Sequence, residues 1–226
     1  MSLSNTDILS IYNSRKTLID VFITVNDDMY YEYPNYKDYD SFNINEVEAM
    51  AKNDQLDMLL VSQIKPNIYV KYMLTRSTIR LQAIDDLVET LFEIENTLKK
   101  TDTLIIVVND EPNDSMIAKL RHLFDERGIF IVMHNINRLQ QNLLKHTLVP
   151  NHRVVSSELY EDLNGKETSE LDQLMTKYKL KNLNQLPEIS RFDPIALLTM
   201  LRPGQVCEIN RKSATSVSTL YYRICV

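Results

Sequence analysis

The sequence has little glycine, little cysteine and no tryptophan. Of its 226 residues, three are glycine and two are cysteine. A phosphate-binding loop needs several glycines, because backbone amides must approach the anion closely. A Gly-x-Ser-x-Gly nucleophile turn needs two glycines in close succession. The shortage of glycine therefore argues against a glycine-rich nucleotide site and against this kind of hydrolase.

The two cysteines, Cys207 and Cys225, predict reduced and buried thiols, with a disulfide as the alternative. The first residues lack the basic flank and apolar core of a secretion signal, so we expect a reducing compartment. No stretch approaches the roughly 20 consecutive apolar residues of a membrane helix, so we expect no membrane contact.

Residues for metal-dependent chemistry do not converge in the sequence. The spacing of the histidines relative to one another and to the cysteines matches no zinc pattern, and the four are His122, His134, His146 and His152. No lysine has an acid two positions before it, as a common nuclease motif requires. We expect no cofactor, no metal and no catalysis by this chain alone. The close acid pair Asp85 and Asp86 is interpreted as a solvated helix face.

The formal net charge is −6, and it is unevenly distributed. Through His146 there are 15 basic and 22 acidic residues, which gives −7, and the remaining 10 basic and 9 acidic residues give +1. A protein that binds nucleic acid by itself usually has a basic face. Any contact with DNA is therefore expected to be local and weak.

The first part of the chain alternates helical and strand patterns. Apolar residues recur at helical spacing over 8–22 and again over 84–92, which predicts two amphipathic helices. The tyrosine-rich stretch 27–40 has no clear period and is predicted to be irregular. Residues 58–61 and 68–74 are predicted to be strands.

A strand, a helix and a second strand follow between residues 103 and 133. The runs 104–108 and 129–133 are continuously apolar, which is typical of strands covered on both faces. A helical stripe over 116–124 lies between them, and Gly128 stands where that helix would end. This spacing predicts a βαβ crossover and an α/β first domain.

The rest of the chain predicts a second domain, with the boundary between 1–145 and 146–226. Helical stripes are predicted at 159–163 and 171–178, separated by Asn164 and Gly165. Asp193 and Pro194 are typical of a helix start, and this helix is predicted to reach residue 201. Strands at 205–210 and 220–226 are predicted to pair, giving a small α+β fold.

The last eighty residues resemble the C-terminal assembly domain of the fifth subunit shared by the eukaryotic nuclear RNA polymerases, a small subunit that also has an equivalent in the archaeal RNA polymerase. Each matching piece is short, but their common order over about eighty residues is specific. The pieces are Leu148-Val149-Pro150-Asn151-His152, Tyr178-Lys179-Leu180-Lys181, Gln185-Leu186-Pro187-Glu188-Ile189, Asp193-Pro194-Ile195-Ala196, Arg202-Pro203-Gly204-Gln205-Val206, Arg211-Lys212-Ser213 and Tyr222-Arg223-Ile224-Cys225.

The resemblance implies a non-catalytic subunit of a multi-subunit DNA-directed RNA polymerase. In that family the C-terminal assembly domain docks on the largest subunit and contacts other polymerase subunits. Arginine suits such an interface, because its planar fork pairs with carboxylates. The implied interface residues are His152, Asp193, Arg211, Lys212, Tyr222 and Arg223. The alternative, that the cations are ordinary surface charges of a hairpin, stays open.

The resemblance also implies that the first domain is an N-terminal jaw domain beside downstream double-stranded DNA. The family has a helix-opening segment that faces the DNA, and residues 112–119 are its counterpart here. Ser115 and Lys119 are the implied contacts, and the contact would be weak and non-specific because acids flank this segment.

The sequence departs from the family pattern at several places. About twelve extra residues lie around 164–173, and Ala214 and Val217 replace the usual glutamate and glycine. This divergence favours a large-DNA-virus polymerase, located in the virion or a cytoplasmic viral factory, or a protist enzyme in the nucleus. Two alternatives remain: a free-standing transcription adaptor or regulator that uses the same assembly domain, and a degenerate nuclease-like domain.

Overall fold

The structure, a computed structural model, describes residues 5–25, 32–74, 79–161, 167–212 and 216–226. The chain divides into two compact units, Met1–Asn142 and Leu143–Val226, which we name the first unit and the second unit. Both units combine helices with a sheet. The chain therefore has a mixed fold of helices and sheets.

The first unit contains a four-stranded sheet in the order β1-β2-β3-β4. The β1 and β2 strands are antiparallel, whereas β2 with β3 and β3 with β4 are parallel. Every residue of β3 and β4 is buried, as expected for apolar strands that are covered on both faces. The strands are β1 Met58–Leu60, β2 Ile68–Met73, β3 Thr103–Val108 and β4 Phe130–Asn135.

Helices of very different length accompany this sheet. A capping box between Asn43 and Glu46 starts α3, and a π-helical turn, Glu89–Ile94, follows α4 directly. Short 3-10 turns cover Pro34–Tyr36 and Ile136–Leu139. The helices are α1 Asn5–Val25, α2 Lys37–Asp40, α3 Ile44–Lys52, α4 Leu81–Val88 and α5 Asp114–Arg127.

The α5 helix connects the parallel strands β3 and β4, and its two ends follow from its sequence. The Asn113 side chain accepts a hydrogen bond from the Met116 amide at 2.9 Å, which caps the start of the helix. Gly128 ends the helix with φ = 70°, a left-handed conformation that costs glycine little. Residues adjacent to the helix therefore determine where α5 begins and where it ends.

The prediction that 27–40 is irregular is wrong for the part that the structure describes. Pro34–Tyr36 forms a 3-10 turn, and α2 follows it directly. Tyr33 and Tyr36 are both buried, and the Tyr33 hydroxyl donates to the Pro66 carbonyl at 2.7 Å. The sequence of these turns has no helical or strand period, and burial of the two tyrosine rings stabilises them. Residues 27–31 lie outside the described part of the chain.

The second unit contains a four-stranded sheet in the order β5-β9-β10-β8 and a separate two-stranded ribbon of β6 and β7. The terminal strands β9 and β10 pair antiparallel, which confirms the predicted hairpin. Short 3-10 turns cover Leu143–Lys145 and Leu183–Gln185. The elements are β5 Asn151–Val154, β6 Leu159–Glu161, β7 Glu167–Ser169, α6 Glu170–Tyr178, β8 Glu188–Ile189, α7 Pro194–Leu198, β9 Val206–Arg211 and β10 Thr219–Cys225.

Each face of this sheet supports its own apolar cluster. On one face, Cys207, Ile209 and Cys225 pack with a group that includes Ala196 and Leu201. On the opposite face, Val206 packs with Val155 and Leu174. The strands therefore alternate between two cores, one on the α7 side and one on the α6 side.

Two helix predictions in this unit need correction. The stretch 159–163, predicted to be a helix, begins with strand β6, whose residues pair with β7. A short apolar run does not distinguish a helix from a strand, which explains the wrong prediction. The helix predicted to reach residue 201 ends at Leu198, and Met200 has φ = 51°, which is not helical. Asn164 and Gly165 lie outside the described residues.

Candidate subunit interface

Four polar or charged side chains, which belong to β5, β9 and β10, share one face of the second sheet. Residues directly opposite each other in an antiparallel pair point to the same side. Tyr221 pairs with Ile209, which pairs with His152 on its other side. Arg211 and Arg223 lie two residues from Ile209 and Tyr221 on the same strands, so they point to this side as well. We name His152, Arg211, Tyr221 and Arg223 the cationic face.

Tyr221 lies at the centre of the cationic face. Its ring centroid is 5.0 Å from the guanidinium carbon of Arg211 and 5.5 Å from that of Arg223. A guanidinium over an aromatic face is attracted by the negative potential of the ring. The ring therefore orients two arginines that would otherwise repel each other.

Arg223 is also held from the far edge of the sheet. Its Nη1 donates to the Glu188 carbonyl at 3.2 Å. Its Nε is buried and has no hydrogen-bond partner among the residues that the structure describes. A buried donor without a partner costs free energy.

His152 is a neutral neighbour of these arginines. Its Nδ1 lies 2.6 Å from the Pro150 carbonyl, and because a carbonyl only accepts, this nitrogen carries the proton. Burial lowers the pKa of His152, Arg211 and Arg223 lower it further, and the Pro150 carbonyl and Asp193 act in the opposite direction. The imidazole is therefore kept neutral at neutral pH and contributes no charge of its own.

Asp193 and Lys212 are further expected interface residues, and neither belongs to the cationic face. Asp193 caps α7, where its Oδ1 accepts from the Ile195 amide at 2.9 Å, so its position is set by the helix start. Lys212 directly follows the end of β9 and is exposed. Together with Arg211 and Arg223, Lys212 provides the cations of this region.

Tyr222, also an expected interface residue, lies on the opposite face. It pairs with Glu208, and its hydroxyl donates to Glu208 Oε2 at 2.8 Å. Its ring lies 5.6 Å from that of Tyr178, measured between centroids. Burial raises the pKa of Tyr222 and Glu208 adds to the shift, so the phenol stays protonated. The structure therefore places Tyr222 on the face opposite to that of His152, Arg211 and Arg223.

Arg153 organises the same opposite face. Its Nη1 and Nη2 donate to the two carboxylate oxygens of Glu170 at 2.9 and 2.6 Å. Nη2 also donates to Glu208 at 3.2 Å. The arrangement ties β5 to the first residue of α6 and to β9. These charges are paired within the unit and serve its fold.

The remaining sequence expectations concern chemistry. Cys207 and Cys225 are free and buried, and burial raises the pKa of each thiol to about 11, which keeps both protonated. Among the described residues, no group of three or more His, Cys, Asp or Glu is placed to hold a metal ion. No described helix is long and apolar enough to cross a membrane.

The two expected DNA contacts lie on α5. Ser115 is exposed in the first turn of the helix. The Lys119 ammonium forms an ion pair with Asp85 at 2.6 Å, and the Lys119 side chain is 23% exposed. The Asp85 side chain is 44% exposed and Asp86 is exposed, so the pair lies on a solvated helix face as predicted, and Asp85 in addition pairs with a lysine of the neighbouring helix. Ser115 is available to a ligand as it stands, and Lys119 is already engaged.

The second unit is a small mixed domain of helices and sheet that carries the cationic face. The family described as "RNA polymerase Rpb5, C-terminal domain" matches residues 141–225, which is nearly the whole of this unit. The subunit Rpo5 of the archaeon Thermococcus kodakarensis is 38% identical over 85 residues, which cover 38% of this chain and 89% of the relative. The chain belongs to this family of DNA-directed RNA polymerase subunits.

Eukaryotic relatives match as well. The rpabc1 subunit of RNA polymerases I, II and III from Dictyostelium discoideum is 31% identical over 128 residues, or 57% of this chain and 59% of the relative. The corresponding subunit from Caenorhabditis elegans is 39% identical over 88 residues, or 39% of this chain and 36% of the relative. The Dictyostelium match is longer than the second unit, so it includes part of the first unit.

Sequence reasoning missed Tyr221. Its neighbours Tyr222 and Arg223 lie in a matching piece of sequence, and Tyr221 precedes that piece. The signal that identifies it is the two-residue period of a strand, which places Tyr221 and Arg223 on one side. Its contact with Arg211 depends in addition on the register of β9 against β10.

Proposed function

We propose that the chain is a non-catalytic subunit of a multi-subunit DNA-directed RNA polymerase, and that its second unit docks on the largest subunit. The family match over residues 141–225 and the names of the relatives as polymerase subunits support this role. In this proposal, nucleotide addition and its metal ions belong to the two largest subunits. The chain contributes binding surfaces and no chemistry.

The cationic face is the observation that carries the docking proposal. Arg211 and Arg223 are held against Tyr221 before any partner arrives, so less side-chain entropy is lost on binding. Guanidinium groups in fixed positions suit carboxylates, which they bind with two parallel hydrogen bonds. The expected partner surface on the largest subunit is therefore acidic. His152 and Asp193 border this contact, and Lys212 extends it.

For the first unit we propose the role of a jaw domain beside the downstream DNA. Ser115 is exposed at the start of α5, where a hydroxyl and helix amides suit a phosphate without reading the sequence. Asp110, Glu111 and Asp114 precede it in the sequence, and of these Glu111 forms an ion pair with Arg138. Lys119 would add one cation, at the expense of its pair with Asp85. These charges predict a weak contact that is supported by the larger subunits.

The proposed location follows from the proposed enzyme. A subunit of a cellular nuclear polymerase would act in the nucleus. A viral version would act in the virion or in a cytoplasmic viral factory. The docking proposal is the same for a cellular and a viral polymerase.

Affinity purification with a tagged chain tests the proposed role. A polymerase subunit will co-purify with the largest subunit at one copy each, as measured by quantitative mass spectrometry. A free-standing adaptor or regulator would be recovered in substoichiometric amounts, and that result would contradict the proposal. A nuclease would instead cleave plain duplex DNA in the presence of a divalent metal.

Arg223→Glu tests the docking face itself. We expect this variant to remain folded and to be lost from the purified polymerase, because it replaces a cation of the face by an anion. Lys181→Glu is the matched control, since it makes the same charge change at an exposed residue outside the cationic face. Normal incorporation of Arg223→Glu would overturn the docking assignment, and loss of both variants would show a non-specific charge effect.

Lys119→Ala and Ser115→Ala test the DNA contact in the assembled polymerase. Each phosphate contact by a cation contributes about one unit to the slope of log affinity against log salt, so Lys119→Ala should reduce that slope by about 1. Ser115→Ala should weaken binding with little change of slope. Unchanged affinity and slope in both variants would remove the contact from the proposal.

A further inference from the structure

The ribbon formed by β6 and β7 projects apolar side chains that nothing in the described part of the second unit covers. Every residue of β6 is exposed, with Leu159 at 66% and Tyr160 at 45% of their accessible surface. An isolated pair of strands is marginally stable in water, because it buries little apolar surface. Packing within the ribbon therefore does not account for the exposed apolar side chains of β6.

The ribbon also places two carboxylates directly opposite each other. Glu161 pairs with Glu167 in the antiparallel register, so both side chains point to the same side, and both are exposed. Leu159 is two residues from Glu161 and shares that side. Like charges at directly opposed positions destabilise a strand pair. A cation between them would turn this repulsion into attraction.

Within the described part of the chain, no cation lies within salt-bridge distance of Glu161 or Glu167. Nearby acids are different. Glu170 is held by Arg153, and Asp172 accepts from the Ser169 amide and hydroxyl at the start of α6. The two ribbon glutamates are thus left without the internal role that the neighbouring acids have.

The outer edge of β6 pairs with no described strand, whereas on β7 the Ser169 amide already donates to Asp172. The strands β6 and β7 pair with each other and form a two-stranded sheet, to which no third described strand is added. An open edge offers backbone amides and carbonyls to an extended segment from another chain. Such a segment would place alternate side chains on the side that carries Leu159 and Glu161.

We propose that the β6–β7 ribbon is a docking arm for an extended, basic segment of another protein. The segment would add as a third strand, with lysine or arginine beside Glu161 and Glu167 and an apolar residue against Leu159. The charge complementarity decides the partner. Duplex DNA would be repelled by these carboxylates, and so would the same ribbon of a second copy.

The proposal goes beyond polymerase docking and does not depend on it. The ribbon is a separate sheet and contains none of the cationic-face residues.

A labelled peptide of alternating lysine and valine is a direct probe for the full-length chain. We expect measurable binding by fluorescence anisotropy at low salt, which weakens as salt is added because the contact is ionic. A peptide of alternating glutamate and valine should not bind. A lysine–valine peptide with alternate amides N-methylated should bind more weakly, because it cannot complete a strand ladder. Equal binding of the methylated peptide would overturn strand addition, and no binding of the unmodified one would overturn the proposal.

Charge-reversal variants locate the binding. The double variant Glu161→Lys and Glu167→Lys should weaken peptide binding by about tenfold or more, since it replaces two attractive charges by repulsive ones. Glu89→Lys with Asp125→Lys is the matched control, at exposed acids of the first unit, which does not contain the ribbon. Equal loss in the control would show a general charge effect and overturn the site. Self-association through the ribbon, detected by sedimentation, would also overturn the basic-partner assignment.

Glu161→Lys alone separates binding from a purely structural role. The new lysine would face Glu167 and relieve the cross-strand repulsion, so the ribbon should become more stable. Peptide binding should nevertheless fall, because one attractive charge is reversed. If peptide binding increased together with stability, the peptide would depend on how well the ribbon is folded and not on its negative charge. That result would overturn the proposal.

Discussion

The Arg223 guanidinium lies 5.5 Å from the centre of the Tyr221 ring, although the two residues are separated along β10 by Tyr222, which points to the other side of the sheet. The two-residue period of the strand brings the ring and the cation together. Arg211 approaches the same ring from the neighbouring strand. One aromatic side chain therefore orders two cations of the proposed docking face.

Tyr221→Leu is expected to lower both stability and docking. Each contact between a cation and a ring near the surface contributes about 0.5–1 kcal/mol, so the loss of two contacts should lower the free energy of unfolding by about 1–2 kcal/mol. Chemical unfolding of the chain measures this, and co-purification measures docking. Tyr221→Phe retains the ring and should behave like the unchanged chain. If leucine and phenylalanine gave the same result, the ring would have no role in ordering the arginines.

Arg153→Met is expected to destabilise the second unit in a way that depends on pH. The hydrogen bond from Arg153 is the largest cause that lowers the pKa of Glu170. A lowered carboxyl pKa adds stability above the pKa of the unfolded chain, and this stability is lost as the pH falls through the folded-state pKa. Because the pair is partly exposed, the gain at pH 7 should be about 0.5–1 kcal/mol.

Urea unfolding at neutral and acidic pH measures the Arg153 effect. The difference between Arg153→Met and the unchanged chain should be largest at pH 7 and should shrink once Glu170 is protonated. Lys181→Met removes a cation from the same unit and should show no such pattern. A difference that stays constant with pH would mean that the lost packing of the arginine stem, and not the ion pair, sets the stability.

The buried His134 on β4 should make the first unit sensitive to mild acid. Burial lowers its pKa to about 4, and Arg138 acts in the same direction. Between that value and the ordinary pKa near 6.5, the unfolded chain binds a proton that the folded chain refuses, so stability falls as the pH is lowered. The expected loss between pH 7 and pH 5 is about 2 kcal/mol.

His134→Gln should flatten the pH dependence of unfolding between pH 7 and pH 5, whatever its effect on absolute stability. His122→Gln is the matched control, because His122 is exposed on α5. A pH slope that survives in His134→Gln would assign the acid sensitivity to other groups. Circular dichroism during urea titrations at several pH values provides the slope.

Gly128→Ala tests the end of α5. Gly128 has φ = 70°, and an added Cβ would meet nothing within 4 Å, so the cost comes from the backbone conformation alone. We expect a loss of about 1 kcal/mol in the free energy of unfolding. Gly128→Asn should lose less, because asparagine tolerates this conformation better. Equal losses would point to a cause other than the left-handed backbone.

The sequence determined those elements whose signals are local. The apolar runs that became β3 and β4, the cap at Asn113 and the glycine after α5 each act within a few residues. Asp193 before Pro194 likewise sets the start of α7. Short-range sterics and hydrogen bonding to the backbone decide these features, and so they can be predicted without knowledge of distant contacts.

Tertiary structure decided the features that need a partner from elsewhere in the chain. Residues 159–161 are a strand only because Glu167–Ser169 pairs with them, and neither segment has a period that reveals this. The register of β9 and β10 places Arg211 beside Tyr221 and sends Tyr222 to the opposite face. A shift of one residue would exchange the two faces, because side chains alternate along a strand. The observed register packs Cys225 and Tyr221 of β10 against the apolar cluster that contains Cys207 and Ile209, and this packing favours it over a shifted one.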